Sequence, residues 1–532
     1  MVIMRSSDEA LCPECFFADS FLIAQFLAIM LKANRDAHAD SVFRTSMSPS
    51  PIDIREQFVS GHNGTTQTEV FLVQLVAPLA ILSRDWFVQF VFSESNPLNP
   101  WSKFALDFLL LVTPMLLSLT LMSSFVIPLV VSLFGFIILL LVLFLREYYR
   151  SKGRPSVQEV INTDISPKLG PTTFFSQIRS MLMIFTCLAI LAVDFHVFPR
   201  RFAKTETFGL SVMDIGTAAF VFVMGATETI RKSKFGVSDQ NTLSSLLVRS
   251  LSTFVLMAIG VLRTVILPLL NYQLHVTEYG THWNFFYTLA VVKVFSILHQ
   301  FACKGNYSLP LGLVFAVLHE FMLSGLDYKS WILSDAPRDS WISANREGIF
   351  SVLGYLTLFC FGYWMGQFVP SARTKLKTYF YAAIKLFGMS CLFLVVQKLP
   401  IEFAFGEPSR RLMNLPFIFA MISLLTFAGA ASLLVQVIMF TGWAARIISF
   451  TCDIPTPCLL VALNRKGYMV FFFLLSNILT GLVNLSMDTI SVTNGFVATT
   501  IIAAYSIVAL AITFYLSEIR RSMSRLEGPK ES

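Results

Sequence analysis

Two side chains in the segment 194–206 could take part in acid–base chemistry. Asp194 directly follows the apolar run from Met181 to Val193, and Lys204 comes after a turn that contains Pro199. A carboxylate at the end of an apolar run is partly removed from water, which makes it a better proton acceptor. A lysine ammonium can neutralise an oxyanion or a phosphate. We therefore take Asp194 as the candidate base and Lys204 as the candidate cation.

Both residues also have a purely structural interpretation, because Asp194 could form an ion pair with Arg200 or Lys204. Arg200 and Arg201 lie between the two candidates. A guanidinium fork suits phosphate oxygens, so both arginines are candidate ligands of a phosphodiester. Anchoring of the protein at the lipid headgroups explains them equally well.

Four further clusters of polar residues have a similar composition, at residues 55–64, 275–284, 343–348 and 409–416. Their acidic, basic, imidazole and amide groups could bind a polar ligand, and Glu278 is a second candidate base. An Asn at the start of a helix could instead be only a cap. The candidate binding residues in these clusters are His275, Glu278, His282, Trp283, Asn284, Asn345, Arg346, Glu347, Arg410, Arg411 and Asn414.

Long apolar segments separate these clusters. The chain has 532 residues, of which 55% are hydrophobic and only 14% are charged, whereas soluble domains are about 25% charged. Most apolar runs are close to the roughly 20 residues that a helix needs to cross a bilayer. A β-barrel would show short alternating segments instead. We predict an all-α polytopic integral membrane protein, a bundle of about thirteen transmembrane helices, near 68–91, 104–122, 124–145, 178–196, 207–228, 249–270, 283–303, 308–327, 348–369, 379–399, 412–441, 468–490 and 495–516.

Basic residues indicate how the bundle is oriented. Lys and Arg concentrate in the loops after predicted spans three, five, nine and eleven and at the C-terminus, as is typical of cytoplasmic loops. We therefore predict a cytoplasmic C-terminus and a lumenal N-terminus. All five polar clusters then fall on the lumenal side, where they could surround one site. The basic residues used are Arg146, Arg150, Lys152, Arg154, Lys168, Arg231, Lys232, Lys234, Arg373, Lys375, Lys377, Arg446, Arg465, Lys466, Arg520, Arg521 and Arg525.

The chain divides into three parts by composition. Residues 1–54 are an N-terminal extension whose polar, Ser/Pro-rich second half is typical of disorder. Residues 55–517 hold the membrane spans, and residues 518–532 form a basic cytoplasmic tail. Basic residues are not interleaved with aromatics, so no nucleic-acid partner is expected. Cys12 and Cys15 have no second pair at zinc spacing, and no metal motif is present, so no metal is predicted.

Long motifs in the same order resemble the PIG-W family, the inositol acyltransferases of GPI-anchor biosynthesis, called GPI-anchored wall transfer proteins in fungi. The similarity runs from about residue 55 to about residue 517 and leaves residues 1–54 outside. The motifs are REQFVSGHNG (55–64), AILAVDFHVFPRRFAKTETFG (189–209), SVMDIGTAAFVF (211–222), HVTEYGTHWNFF (275–286), SANREGIFSVLGY (343–355), SRRLMNLPF (409–417) and NILTGLVNLSMDTI (477–490).

The resemblance implies a multi-pass enzyme of the endoplasmic reticulum membrane. It would transfer a fatty acyl chain, palmitoyl by expectation, from acyl-CoA to the inositol 2-hydroxyl of glucosaminyl-phosphatidylinositol, with membrane lipids around it and no permanently bound cofactor. The family's pair of essential residues maps onto Asp194 and Lys204. The polar side chains of 275–284 would then bind sugar hydroxyls, and Arg410, Arg411 and Asn414 would line the path of the lipid or of CoA.

Two other hypotheses fit parts of the sequence. The number of spans and the charges within them, at Asp107, Asp214, Arg263, Lys293, Glu320 and Lys385, are compatible with a lipid or solute transporter. Transporters usually contain an internal repeat with binding at the midplane, which this sequence does not show. A buried histidine such as His319 could serve as base, as in membrane-bound O-acyltransferases, but the Asn pattern of that family is missing.

Overall fold

The computed structural model describes residues 58, 61–91, 99–150, 155–165, 171–240, 243–269, 276–303, 307–370, 374–445 and 457–526. The predicted extension at 1–54, His275 and the end of the predicted tail lie outside these residues. The helices are α1 (Gln67–Val91), α2 (Pro100–Leu119), α3 (Ser123–Arg150), α4 (Val157–Asn162), α5 (Pro171–Ala192), α6 (Ile215–Gln240), α7 (Leu243–Leu269), α8 (Val276–Tyr279), α9 (Phe285–Cys303), α10 (Ser308–Gly325), α11 (Tyr328–Leu333), α12 (Trp341–Ala344), α13 (Arg346–Gly366), α14 (Leu376–Phe405), α15 (Leu415–Ala444), α16 (Cys458–Asn464), α17 (Tyr468–Ser486) and α18 (Gly495–Leu526).

Helix length and composition make this an all-helical, multi-pass membrane protein, as predicted. Within the described residues, ten helices are long and apolar enough to cross a bilayer. Three shorter apolar helices coincide with the predicted spans near 207–228, 249–270 and 283–303, at Ile215–Thr229, Ser250–Ile266 and Phe285–Phe301. The full set of thirteen spans and the orientation of the termini stay predictions.

The chain forms two compact units. The first contains Phe58 and the described residues from 231 to 357, and the second contains the described residues from 61 to 230 and from 358 to 526. In the first unit α7 packs against α9. In the second unit α15 packs against α1, α5 and α14, while α17 and α18 pack against each other and against α5. Ser390 and Ser423 join α14 to α15 by reciprocal hydrogen bonds of 2.8 and 2.9 Å to each other's carbonyl oxygen.

Three charged residues within spans of the second unit are buried together and pair with one another, which lowers the cost of a charge in lipid. Arg84 of α1 contacts Asp107 of α2 at 2.6 Å and its neighbour Asp85 at 2.9 Å. The second oxygen of Asp107 accepts hydrogen bonds from the Cys458 thiol and from the backbone N–H of Leu459. This buried cluster therefore ties α1, α2 and α16 together.

Two helices of the second unit touch backbone to backbone at glycines. A Cβ atom on Gly362 of α13 would lie 2.1 Å from the carbonyl oxygen of Phe222 in α6, and one on Gly225 would lie 2.2 Å from that of Phe359. Such distances are far below a normal van der Waals contact, so only glycine fits at either position. Close approach through small residues is a usual way to pack helices in membranes, where apolar side chains gain little by leaving lipid.

Gly362→Ala should therefore destabilise the protein, because the methyl group must displace the backbone of α6. Overpacking of this kind costs roughly 1–3 kcal/mol. Gly388→Ala is the matched control, since a Cβ atom there meets nothing within 4 Å and alanine is the better helix former by about 1 kcal/mol. Thermal unfolding in detergent should show a clear loss only for Gly362→Ala. Equal melting temperatures for the two variants would contradict the backbone contact.

Candidate active site

The segment that follows α5 is held by three aromatic anchors. Helix α5 ends at Ala192, and Pro199, which lacks a backbone N–H, lies in the irregular segment that follows. Phe195, Phe198 and Phe202 are fully buried. These anchors fix the backbone that follows Asp194, which is itself half-buried just beyond the end of α5.

The Asp194 carboxylate is bound by an amide from another helix. Nδ2 of Asn484, near the end of α17, donates a hydrogen bond of 2.8 Å to Oδ2 of Asp194. Thr489 beyond the helix donates to the amide oxygen of Asn484 at 3.4 Å. Helix α17 packs against α5, so packing of the two helices brings the two side chains together. Hydrogen bonds of this type stabilise a carboxylate in its charged form.

Arg200 is the arginine nearest in sequence to Asp194. Its side chain folds back onto the turn that precedes it. Its Nη2 donates to the carbonyl oxygens of Phe195 and Phe198, each at 2.9 Å. Burial lowers the pKa of Arg200 to about 10, although the nearby Asp194 carboxylate acts in the opposite direction. The Asp194 carboxylate is therefore an electrostatic partner of Arg200.

Arg201 and Lys204 have different environments. Arg201 forms an ion pair with Glu69 at the start of α1, at 2.9 Å, and also donates to the carbonyl oxygen of Ser123. Thr65 donates a short hydrogen bond to the same carboxylate. The Lys204 side chain is exposed. Arg201 therefore binds the start of α1 and the start of α3, whereas Lys204 is accessible to a ligand.

Three stretches of chain meet beside this segment, and two glycines permit the contact. Leu210 accepts a hydrogen bond of 2.6 Å from the N–H of Thr65, and the N–H of Gly209 donates to Pro408 at 2.8 Å. Gly64 and Gly209 have φ angles of +81° and +109°. A Cβ atom on Gly64 would lie 2.2 Å from the carbonyl oxygen of Leu210, and one on Gly209 would lie 2.0 Å from that of Asn63. Three of the five predicted polar clusters are thus joined through their backbones.

Asp214 is the polar centre of this junction. Its carboxylate is fully buried and accepts hydrogen bonds from the N–H groups of Thr205 and Ser211 and from the Thr205 hydroxyl. Nε of Arg410 lies 2.9 Å from its Oδ1, and Nη2 of Arg410 donates to the carbonyl oxygen of Thr205. The pair fixes the residue next to Lys204.

The remaining predicted residues of this unit stabilise the loop before α15. Oδ1 of Asn414 accepts from the N–H of Ser409 at 2.9 Å, and Nδ2 donates to the carbonyl oxygen of Glu407. The Ser409 hydroxyl donates a short hydrogen bond to the carbonyl oxygen of Thr207. Arg411 is buried, with 7% of its surface exposed. Asn414 therefore shapes the loop that presents both arginines.

The other two clusters meet each other within the first unit. Oδ1 of Asn345 accepts hydrogen bonds of 2.8 Å from the backbone N–H groups of His282 and Trp283. Asn284 is buried and donates to the carbonyl oxygen of Gly260 in α7. The side chain of His282 is exposed, while that of Glu278 is half-buried. His282, Glu278 and the half-buried Trp283 are thus the predicted residues of this cluster whose side chains are accessible.

Arg346 and Glu347 are almost fully buried in the same unit. Glu347 forms an ion pair of 2.6 Å with Arg338. The Arg346 guanidinium donates to the carbonyl oxygens of Ser334 and Ala336 and lies over the ring of Trp331 at 5.5 Å. Their polar atoms therefore fold the segment 334–347, which favours a positioning role over direct contact with a ligand.

Comparison with known proteins identifies the family. The GWT1 family model matches residues 53–516. This chain is a member of the GWT1 family. GPI-anchored wall transfer protein 1 of Gibberella zeae is 35% identical over 82% of this chain and 92% of its own length. The glucosaminyl-phosphatidylinositol-acyltransferases PIGW of Mus musculus and Homo sapiens are each 31% identical over 82% of this chain and 92% of their own length. The family resemblance of the motifs is thereby confirmed.

In this member of the GWT1 family, three residues that were not predicted from the sequence contact predicted site residues. Asn484, Glu69 and Asp214 contact Asp194, Arg201 and Arg410, respectively. One signal for Asn484 was present, because it lies in the motif NILTGLVNLSMDTI and near a helix end on the same side as the clusters. Its partner could not be deduced, since 290 positions separate the two side chains.

Asp214→Asn should destabilise the protein strongly, because it removes the charge that lies 2.9 Å from the buried Arg410 guanidinium. Breaking one partner of a buried pair costs about 3–5 kcal/mol. The double variant Asp214→Asn/Arg410→Met should lose less than the sum of the single losses. Lys398→Met is the matched control, since it breaks an ion pair with Glu402 that is partly exposed and is worth about 0–1 kcal/mol. Thermal unfolding in detergent measures the stability of Asp214→Asn, Arg410→Met, the double variant and Lys398→Met. Additive losses would show that the pair is not coupled.

Proposed function

We propose that this protein is an acyl-CoA-dependent O-acyltransferase of the endoplasmic reticulum membrane, which transfers a fatty acyl chain, palmitoyl by expectation, to the inositol 2-hydroxyl of glucosaminyl-phosphatidylinositol. Membership of a family that includes glucosaminyl-phosphatidylinositol-acyltransferases supports this reaction. The observation on which the proposal mainly rests is the placement of Asp194. It is a half-buried carboxylate, held by an amide, on the same anchored segment as an exposed lysine.

The reaction needs no enzyme nucleophile. The Asp194 carboxylate accepts the proton of the inositol hydroxyl as its oxygen attacks the thioester carbonyl carbon of acyl-CoA. Lys204 stabilises the negative charge on the carbonyl oxygen of the tetrahedral intermediate. The C–S bond then breaks, and the departing thiolate takes the proton from Asp194. The products are the inositol ester and free CoA, and the carboxylate returns to its charged form.

Arg200 and Arg201 both stay candidates for the lipid phosphodiester. Arg201 pairs with Glu69, whereas Arg200 donates to two carbonyl oxygens and interacts electrostatically with Asp194. A phosphate bound there would lie on the segment that carries the base. For Arg410, Arg411 and Asn414 the contacts support presentation of a loop beside this site. Substrate contact by Glu278, His282, Trp283, Asn284, Asn345, Arg346 and Glu347 stays a prediction.

Thirteen spans with a lumenal N-terminus and a cytoplasmic C-terminus complete the proposal. Contacts between helix ends of the second unit support this count. Asp194 bonds to the end of α17, Arg201 bonds to the starts of α1 and α3, and Gly209 bonds to the loop before α15. All of these are loops that the count of thirteen places on the lumenal side. On the other face, the backbone of residues 163–165 pairs with that of 374–376, and both stretches belong to predicted cytoplasmic loops.

Asp194→Asn and Lys204→Ala should each abolish acyl transfer, because one removes the base and the other the charge that stabilises the oxyanion. A loss of about 10²–10⁴-fold is expected for a general base. The assay uses membranes that lack the host's own activity, labelled palmitoyl-CoA and glucosaminyl-phosphatidylinositol. The product should resist a phosphatidylinositol-specific phospholipase C that attacks through the neighbouring inositol hydroxyl.

Lys398→Ala is the control for the lysine, since Lys398 is also exposed near a predicted lumenal helix end. Full turnover in Asp194→Asn or Lys204→Ala would assign that residue a structural role. No acylated product from active wild-type membranes would overturn the proposed reaction. Accumulation of a solute in proteoliposomes without acylation would support a transporter instead.

The orientation predicts opposite labelling of two loops. A cysteine placed at Lys204 should react with an impermeant thiol reagent only after sealed microsomes are opened. One placed at Gln158 of α4, an exposed residue of the basic loop, should react in intact microsomes. Both are made in a background in which the accessible native cysteines are replaced. Labelling of both positions from the same side would contradict the arrangement of thirteen spans.

A further inference from the structure

Asn484 is the side chain from another helix that the structure places on the candidate base. Its Nδ2 lies 2.8 Å from Oδ2 of Asp194, and its Oδ1 accepts from the hydroxyl of Thr489. Thr489 is itself buried, with 1% of its surface exposed. The three side chains form a line of hydrogen bonds that runs from a buried hydroxyl through an amide to the carboxylate.

We propose that Asn484 is a positioning residue for acyl transfer: its amide holds the Asp194 carboxylate in the orientation that accepts the substrate proton, and Thr489 holds the amide. This inference rests on the proposed function. A general base acts only when it lies within hydrogen-bond reach of the proton that it removes. A carboxylate beside a loop can turn about its terminal bonds, so a fixed donor on one oxygen reduces that freedom.

The order of the three residues decides which way the amide faces. An asparagine amide has a donor end and an acceptor end. The Thr489 hydroxyl can donate to Oδ1, which leaves Nδ2 directed at Asp194. With the opposite orientation the amide oxygen would face the carboxylate, and two acceptors would repel each other. The carboxylate therefore selects the orientation in which Asn484 donates to it, and the Thr489 hydroxyl stabilises that orientation by donating to Oδ1.

Among the interactions described for Asp194, those with charged or titratable groups involve Arg200 and Tyr505. Arg200 lies on the same loop, and the two side chains interact electrostatically. Tyr505 of α18 also interacts with Asp194, and its hydroxyl bonds to the carbonyl oxygens of Cys187 in α5 and Ser476 in α17. Loss of the Asn484 donor leaves these groups in place. The charged form of the Asp194 carboxylate then loses one hydrogen bond that stabilises it, so the carboxylate is protonated at a higher pH than in the wild type.

Asn484 also belongs to the sequence Asn484-Leu485-Ser486, which is a possible acceptor of an N-linked glycan. Ser486 offers a way to separate that role from positioning. Its side chain is exposed and its hydroxyl bonds only to the nearby carbonyl oxygen of Val483 among the contacts described. Ser486→Ala removes the glycan acceptor sequence and leaves the Asn484 amide unchanged.

The test compares Asn484→Leu, Ser486→Ala and Asp194→Asn in full-length protein in membranes, with palmitoyl-CoA and glucosaminyl-phosphatidylinositol as substrates. Asn484→Leu should lower kcat by about 10–100-fold, since small misplacements of a catalytic group have effects of that size. KM for both substrates should stay within about 2-fold, because the amide does not bind them. The acidic limb of the pH–rate profile should move to higher pH. Ser486→Ala should match the wild type.

Unchanged kcat and pH profile in Asn484→Leu, with Asp194→Asn inactive, would overturn the positioning role and leave the proposed function intact. Activity in Asp194→Asn would remove Asp194, and with it Asn484, from the proposed mechanism, whereas wild-type membranes that yield no acylated product would overturn the proposed reaction itself. Loss of activity in Ser486→Ala equal to that in Asn484→Leu would attribute the effect to the glycan acceptor sequence. If Asn484→Leu does not fold, Thr489→Val decides, because it keeps the amide and removes its support. A smaller fall in kcat with the same displacement of the pH profile supports the inference, and a normal profile refutes it.

Discussion

The candidate site depends on one ion pair, between the carboxylate of Asp214 and the guanidinium of Arg410. Neither group can be left alone, because an unpaired charge at this depth would cost several kcal/mol. The two residues come from distant parts of the chain, and the hydrogen bonds of Asp214 to Thr205 and Ser211 connect the pair to the segment that carries the catalytic candidates. A requirement for charge balance therefore sets the position of the residues beside Lys204.

The same segment is fixed at its other end by apolar packing. Phe195, Phe198 and Phe202 are buried and hold the turn after α5. Between the aromatic anchors and the ion pair, the exposed lysine is held near both ends of its loop. Catalytic groups must be held in a fixed geometry, and they usually lie on a rigid helix or strand. Here the contacts at the two ends of the segment fix the geometry instead.

Much of this arrangement could be predicted from the sequence, and the remainder depends on contacts between distant residues. Continuous apolar runs predict the spans because lipid requires helices of a fixed length. The positions of Asp194 and Lys204 follow from the apolar run and the turn. The ion pairs of Arg201 and Arg410 could not be predicted, because a charged residue near a helix end has many possible partners. The burial of Arg346 and Glu347 was missed for the same reason, since exposed and buried arginines look alike in a sequence.

The contact of α6 with the second half of α13 through Gly225 and Gly362 has a mechanical consequence. Where two backbones touch, there is no layer of side chains that could repack to let one helix slide along the other. The two contacting helix segments therefore form one rigid element within the second unit. A lipid with two acyl tails that enters from the side of the bilayer must therefore pass between helices separated by ordinary side chains, where rotamer changes can widen a gap.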